Sequence, residues 1–251
     1  MIPEDDRGLL LGDGLFETLL AEDGRLRFVD EHLDRMTRGC AVLGLDAPDA
    51  AEARRLAEQA AVRTSGRAAV RLTLTAGAGR GLDRAPDSLP WLLAAASAAP
   101  IAAGPARLRT ATVRRNEGSP TSRIKSLSYL DNVLARREAR ALGGDEALML
   151  NGRGEIAGGA AANLFWIAED CLFTPALDCG VLDGIIRGQV LTAARALGIE
   201  AREVRAPADR LEAVDGAFLT NSLIGLRPVV EIDGRLLGDH AMIGALSSRC
   251  R

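Results

Sequence analysis

Lys125, in the stretch "SRIKSLSYL" (122–130), is the one lysine among 31 Lys and Arg residues. An ε-amine can lose its proton, attack a carbonyl and form a Schiff base, whereas a guanidinium stays charged. Composition alone leaves two readings open: a reactive amine, or a lone survivor of arginine-rich codon usage on a solvated face. The other candidates for chemistry are few. There are only two histidines, which excludes a His-rich metal site, and neither His32 nor His240 lies near a G-x-S-x-G elbow. His32, in "DEHLDRM", reads as a helix-surface residue one turn before Arg35. Cys40, Cys171, Cys179 and Cys250 form no C-x-x-C pair and read as reduced, structural thiols. The glycine-rich "TAGAGRGL" does not fit G-x-G-x-x-G, and no glycine loop precedes Lys125 as a P-loop requires. Taken by itself, that stretch is a surface turn carrying Arg80.

The elements that must position these residues follow from periodicity. "GLFETLLAEDGRLRFVD" reads as two strands around an Asp-Gly turn. A helix follows over 31–45, with Leu33, Met36, Cys40 and Leu43 on one face, and a second over 49–63. "AAVRLTLTAG" and "LPWLLAAAS" read as strands. Small residues and two prolines in "AAPIAAGPA" (98–106) mark a linker. Beyond it, "SLSYLDNVLARREARALGG" predicts a helix whose apolar face is Leu130, Val133, Leu134 and Leu142, closed by Gly143. "EALMLN", "NLFWIA" and "CLFTP" read as strands, and Asp183 as the cap of a helix over "GIIRGQVLTAARALG", which Gly198 ends. "AFLTNSLIGLRPVVEIDG" supplies closing strands. Strands alternating with helices in two unequal halves predict an α+β or α/β enzyme, with a small domain at 1–105 and a larger one at 106–251.

With 251 residues, 47% of them hydrophobic, the chain can bury a sizeable core. A net charge of -3 with scattered arginines argues against a nucleic-acid or membrane partner. No apolar run is long enough to span a bilayer and no signal opens the N-terminus, so the expected location is cytoplasmic.

The segments "GDGLFET", "HLDRM", "RGL", "IKSLSYLDNVLARREA", "DEALMLN", "RGEIAGGAAANLFWI", "LFTPALDCGVLDGIIR" and "FLTNSLIGLRPV", in this order across nearly the whole chain, resemble the class IV aminotransferases. These are fold-type IV pyridoxal-phosphate enzymes that include branched-chain and D-amino-acid transaminases and 4-amino-4-deoxychorismate lyases. The resemblance implies a two-domain fold-type IV architecture, a homodimer, pyridoxal 5′-phosphate as cofactor, and Lys125 as its Schiff-base lysine and general base. It implies that Tyr129, the only tyrosine, lies near the cofactor's phenolic oxygen. Arg35, Ser222 and the amides of Ile185 and Ile186 would hold the phosphate, with Ile186 lacking the hydroxyl that transaminases often carry there. Arg80 matches an arginine that in some family members meets a substrate carboxylate. At Gly158 the chain departs from the family, where a glutamate keeps the pyridine nitrogen protonated. Glu155, three residues away on a strand, points to the opposite face and is a poor substitute. Three functions follow: transamination between a small amino acid and a 2-oxo acid, the lyase reaction giving pyruvate and 4-aminobenzoate, or a catalytically impaired cofactor-binding homologue.

Overall fold

Two separate sheets take up the predicted strands. The computed structural model describes residues 3–85, 88–99, 101 and 104–250. One unit comprises Met1–Pro100 with Ile124–Ser128, and the other Ile101–Arg123 with Tyr129–Arg251. Of the linker read over 98–106, Pro100, Ala102 and Ala103 lie outside the described residues.

The first unit opens with a short helix, α1 (Arg7–Leu11), which no periodicity announced; its first turn is capped by the Asp6 carboxylate, accepting from the Leu9 amide at 3.1 Å. Strands β1 (Gly14–Glu22) and β2 (Arg25–Leu26) follow. They are joined by Asp23 and Gly24, with φ of 49° and 79°, the pair of positive φ values that a two-residue hairpin of this kind needs. Next come α2 (Val29–Leu43) and α3 (Ala50–Ala61), the latter capped by Asp49 through the Glu52 amide at 2.8 Å. Strands β3 (Arg67–Thr75) and β4 (Trp91–Ala98) complete an antiparallel sheet in the order β2-β1-β3-β4. One face of it buries Leu15, Leu19, Val70, Leu72 and Leu74 against Leu33, Met36 and Cys40 of α2 and the alanines 53, 57, 60 and 61 of α3. Each leucine so covered contributes about 1.5–3 kcal/mol.

The second unit runs β5 (Ala106–Thr110), α4 (Leu130–Ala141), β6 (Glu146–Leu150), β7 (Ile156–Gly159), β8 (Asn163–Ala168), β9 (Cys171–Pro175), α5 (Ile185–Ala196), β10 (Ala201–Val204), β11 (Gly216–Asn221), β12 (Gly225–Ile232), β13 (Arg235–Leu236) and α6 (Ala241–Arg249). Its mixed sheet has the order β10-β9-β8-β11-β12-β5-β6-β7, with β13 on β12. Every residue of β6, β8 and β9 is buried, which explains why these strands read as apolar runs rather than as alternations. Leu148, Ile156, Leu164, Trp166 and Leu219 form the main core.

The α4 face is the reverse of the one predicted. Leu130, Val133, Leu134 and Leu142 are 68, 57, 42 and 55% exposed, and the buried side chains are Asn132, Ala135 and Ala139. The reason is distance: this helix sits on β6 through Ala135, Ala139, Ala147 and Met149, and a close approach selects small side chains over leucines. Gly143, at φ 75°, does end the helix. Among the described residues no helix is long and apolar enough to cross a membrane.

Candidate active site

Lys125 belongs to the first unit, although the residues on either side of 124–128 belong to the second. Its carbonyl accepts from the Phe16 amide at 2.9 Å and the Leu127 amide donates to the Gly14 carbonyl at 2.9 Å, so Ser126 forms an isolated antiparallel bridge with Leu15 of β1. The chain is therefore held to the sheet at the carbonyl of Lys125 and at the residues that follow it. Its Nζ lies 4.3 Å from the Phe16 ring centroid, and the Arg71 guanidinium carbon lies 3.7 Å from the same ring. An ammonium at that distance is held by the ring's negative face.

Glu17, on β1, anchors a buried charge cluster that the sequence reading missed. Its Oε2 accepts from Arg35 Nη2 at 2.6 Å and pairs with His32 Nδ1 at 2.6 Å, while Oε1 accepts from Arg35 Nε at 2.9 Å. His32 is 0% exposed, which corrects its assignment to the helix surface. Spacing explains the error, because His32 and Arg35, three apart on α2, share the face that looks at β1. Burial alone would raise the Glu17 pKa, but the Arg35 charge and the hydrogen bonds from Arg35 and His32 outweigh it and bring it to about 2. Burial lowers the His32 pKa despite its bond to Glu17, and the Arg35 and Lys125 charges push the same way. A neutral imidazole donating Nδ1–H to a carboxylate fits both directions.

Arg80 is exposed in the loop after β3. The buried Arg7 of α1 fixes this loop, donating to the carbonyls of Gly81 (2.9 Å), Leu82 (2.9 Å) and Asp83 (3.1 Å) while pairing with Asp13. The backbone around Arg80 is thus tied down while its side chain stays accessible.

In the second unit, the turn 158–163 gathers the remaining candidates. Asn132, in the first turn of α4 beside Tyr129, donates to the Ala160 carbonyl at 2.5 Å. Asn221 donates to Ala161 at 2.9 Å, and its Oδ1 accepts from the amides of Leu223 and Ile224, which shapes the loop carrying Ser222. Asn163 donates to Leu182 at 2.9 Å, which fixes the approach to α5. The residue capping α5 is Gly184 and not Asp183, with no side-chain bond to the helix. A Cβ on residue 184 would stand 1.9 Å from the Asn163 Oδ1, so close packing overrides the usual preference for a capping carboxylate. Asp183 instead lies 3.8 Å from Arg187. Ile185 and Ile186 form the first helical turn, where amides lack intrahelical acceptors. Gly158 sits buried in β7 at φ 111°, a conformation open to glycine and to few other residues.

Residues 14–232 match the model of the family described as amino-transferase class IV. The chain belongs to this family. A Methanocaldococcus jannaschii protein assigned as a branched-chain-amino-acid aminotransferase is 33% identical, the match covering 98% of this chain and 87% of that one. Bacillus subtilis aminodeoxychorismate lyase is 29% identical over 91% of this chain and 80% of its own. Among solved structures, a Legionella pneumophila protein assigned as a 4-amino-4-deoxychorismate lyase superposes with a TM-score of 0.91 at 27% identity, covering 98% of this chain and 92% of that one. The architecture is that of the fold-type IV enzymes, as the sequence resemblance implied.

Class IV aminotransferases depend on pyridoxal phosphate, and the donors found here fit such a group. A phosphate monoester is met by unpaired amides at a helix N-terminus, here those of Ile185 and Ile186. A serine hydroxyl follows at 222, and the buried Thr220 hydroxyl has no partner among the described residues. Position 158, where the family resemblance implies an acid, carries a glycine instead. Glu155 stays away from it, engaged with Asn151 at 2.7 Å and Arg153 at 3.1 Å. Sequence reasoning missed Glu17, Asn132, Asn163 and Asn221. The last two had a usable signal, as buried-strand asparagines at β-strand ends beside the motifs "NLFW" and "TNS".

Proposed function

We propose that this class IV enzyme transfers the amino group of a small amino acid, branched-chain or D-configured, to a 2-oxo acid, with pyridoxal 5′-phosphate carried on Lys125. The supporting observation is the single lysine, whose carbonyl is bonded to the Phe16 amide of β1 with its amine over the Phe16 ring. When bound, the cofactor supplies a carbonyl that condenses with amines and a conjugated ring that withdraws electrons from the substrate's α-carbon. Lys125 Nζ would hold the cofactor covalently through that carbonyl and, as a free amine, would move the proton at the substrate's α-carbon. No other side chain of the sequence offers a second amine for that role.

Arg35, oriented by two bonds to Glu17, the Ile185 and Ile186 amides and the Ser222 hydroxyl hold the phosphate in this reading. Tyr129 stands by the phenolic oxygen. Arg80, on a loop strapped by Arg7, receives the carboxylate that every amino-acid and 2-oxo-acid substrate carries. A homodimer in the cytoplasm belongs to the same proposal.

Gly158 favours a second reading. Expulsion of pyruvate from 4-amino-4-deoxychorismate is driven by aromatisation, so it tolerates a ring that withdraws electrons weakly, as one without a neighbouring acid does. Single-turnover assays on the cofactor-loaded protein decide. Formation of a 2-oxo acid from branched-chain or D-amino acids supports transamination, and release of pyruvate with 4-aminobenzoate from aminodeoxychorismate replaces it by the lyase. A protein that binds the cofactor and turns over neither would refute both and leave a non-catalytic homologue.

A further inference from the structure

Arg115, between β5 and α4, forms no ion pair among the described residues. Its Nη2 donates to Met149 Sδ and to the Gly159 carbonyl, each at 3.2 Å. Its Nε is buried with no acceptor, and Nη1 makes no hydrogen bond among the described residues. Burial pushes the guanidinium pKa down, with the charges of Tyr129 and Asp131 acting against that. Gly180, at φ 82°, makes room for the stem: a Cβ there would lie 3.2 Å from Arg115 Cγ. An arginine kept in such a position with unused N–H groups is costly unless something accepts from it.

Its two partners flank Gly158 in the β6–β7 ladder. Met149, whose sulfur it contacts, is the cross-strand partner of Gly158, and Gly159 is the next residue. The closest buried acid, Glu146, is three residues from Met149 on β6 and so leaves the opposite face of the sheet. Its carboxylate is also occupied, accepting from the amides of Ala147 at 3.0 Å and Ala160 at 3.2 Å with Arg136 at 3.5 Å. The position thus offers a guanidinium donor, and among the described residues no carboxylic acid is hydrogen-bonded to it. The pyridine nitrogen has one lone pair, so it can accept such a bond only while unprotonated.

We propose that Arg115 donates a hydrogen bond to the ring nitrogen of the cofactor and holds that nitrogen unprotonated. This rests on the pyridoxal-phosphate reading above, with Gly158 at the ring-nitrogen end of the site. Its consequence is a weakened electron sink, which slows proton removal from ordinary amino acids and favours the second, lyase reading given above.

The test uses pyridoxal phosphate isotopically labelled at the ring nitrogen, loaded into the full chain, and reads the nitrogen chemical shift at neutral pH. A shift characteristic of an unprotonated, hydrogen-bonded pyridine is expected, and a pyridinium shift overturns the proposal. Affinity for the 1-deaza analogue, in which carbon replaces that nitrogen, gives a second readout independent of activity. The wild type is expected to prefer the natural cofactor by about tenfold to a hundredfold, the range for a hydrogen bond from a charged donor. Arg115→Gln and Arg115→Lys are expected to lose most of that preference, and the same ratio in wild type and both variants overturns the assignment. Binding of both compounds with no preference in the wild type refutes the role of Arg115 while leaving the cofactor reading intact. Absence of binding by either compound removes that reading and this proposal together.

Discussion

Glu17→Gln tests how the buried cluster holds Arg35. The wild-type carboxylate accepts two bonds from Arg35 and pairs with His32. The amide keeps one acceptor oxygen and turns an NH2 group toward donors, which leaves the guanidinium buried and underpaired. The Glu17 pKa, lowered from 4.5 to about 2, corresponds at about 1.4 kcal/mol per pH unit to about 3 kcal/mol of native-state stabilisation. Loss of one partner of a buried ion pair costs a similar amount, about 3–5 kcal/mol. The sign follows from the depressed pKa. The Glu17 contribution is fully present above pH 4.5 and is lost as pH falls toward about 2. His32, whose pKa is also lowered, separately destabilises the fold as pH falls below its unfolded value, but it does so in both proteins. Urea unfolding of wild type and variant across this range should show a difference of about 3 kcal/mol at neutral pH that shrinks toward zero at the acid end. A difference below about 1 kcal/mol, or one that does not change with pH, would refute the reasoning.

Gly158→Ala forces a side chain into φ 111° and is expected to cost about 1–3 kcal/mol of unfolding free energy. Equal stability would show that the strand has another backbone conformation. Arg80→Ala should raise KM for the carboxylate substrate about tenfold to a hundredfold with unchanged cofactor affinity, the size of a charged hydrogen bond; an unchanged KM removes Arg80 from substrate binding. Sedimentation at working concentration should give twice the 26.4 kDa chain mass, and a monomer contradicts the proposed dimer.

Much of the fold was legible because its strands and helices carry strong local signals. The β1–β2 hairpin announced itself through Asp23-Gly24, and Leu33, Met36 and Cys40 marked the inner face of α2. Local signals failed where a non-local contact decides. The leucines of α4 outweighed Asn132, Ala135 and Ala139 in any count of apolar surface, yet the small residues are those that fit against β6. His32 looked like a solvated residue because its partner Glu17 is fifteen positions away on a strand. At the site, Lys125 stood out by its rarity. The return of 124–128 to pair with β1 had no signature, since that pairing depends on the edge offered by Gly14 and Phe16. Arg115 was one arginine among many in the sequence, and what marks it is a buried Nε with no acceptor among the described residues in a guanidinium that forms no ion pair among them.

The central claim is the covalent role of Lys125. Borohydride reduction of the pyridoxal-phosphate-loaded protein, followed by peptide mapping, should attach the cofactor to the peptide containing Lys125, and Lys125→Ala should lose both the attachment and all turnover. Because Phe16 sits beneath the amine, the variant should stay folded, which unfolding curves check. A trapped cofactor on any other residue, or a Lys125→Ala protein that still turns over, would contradict the account.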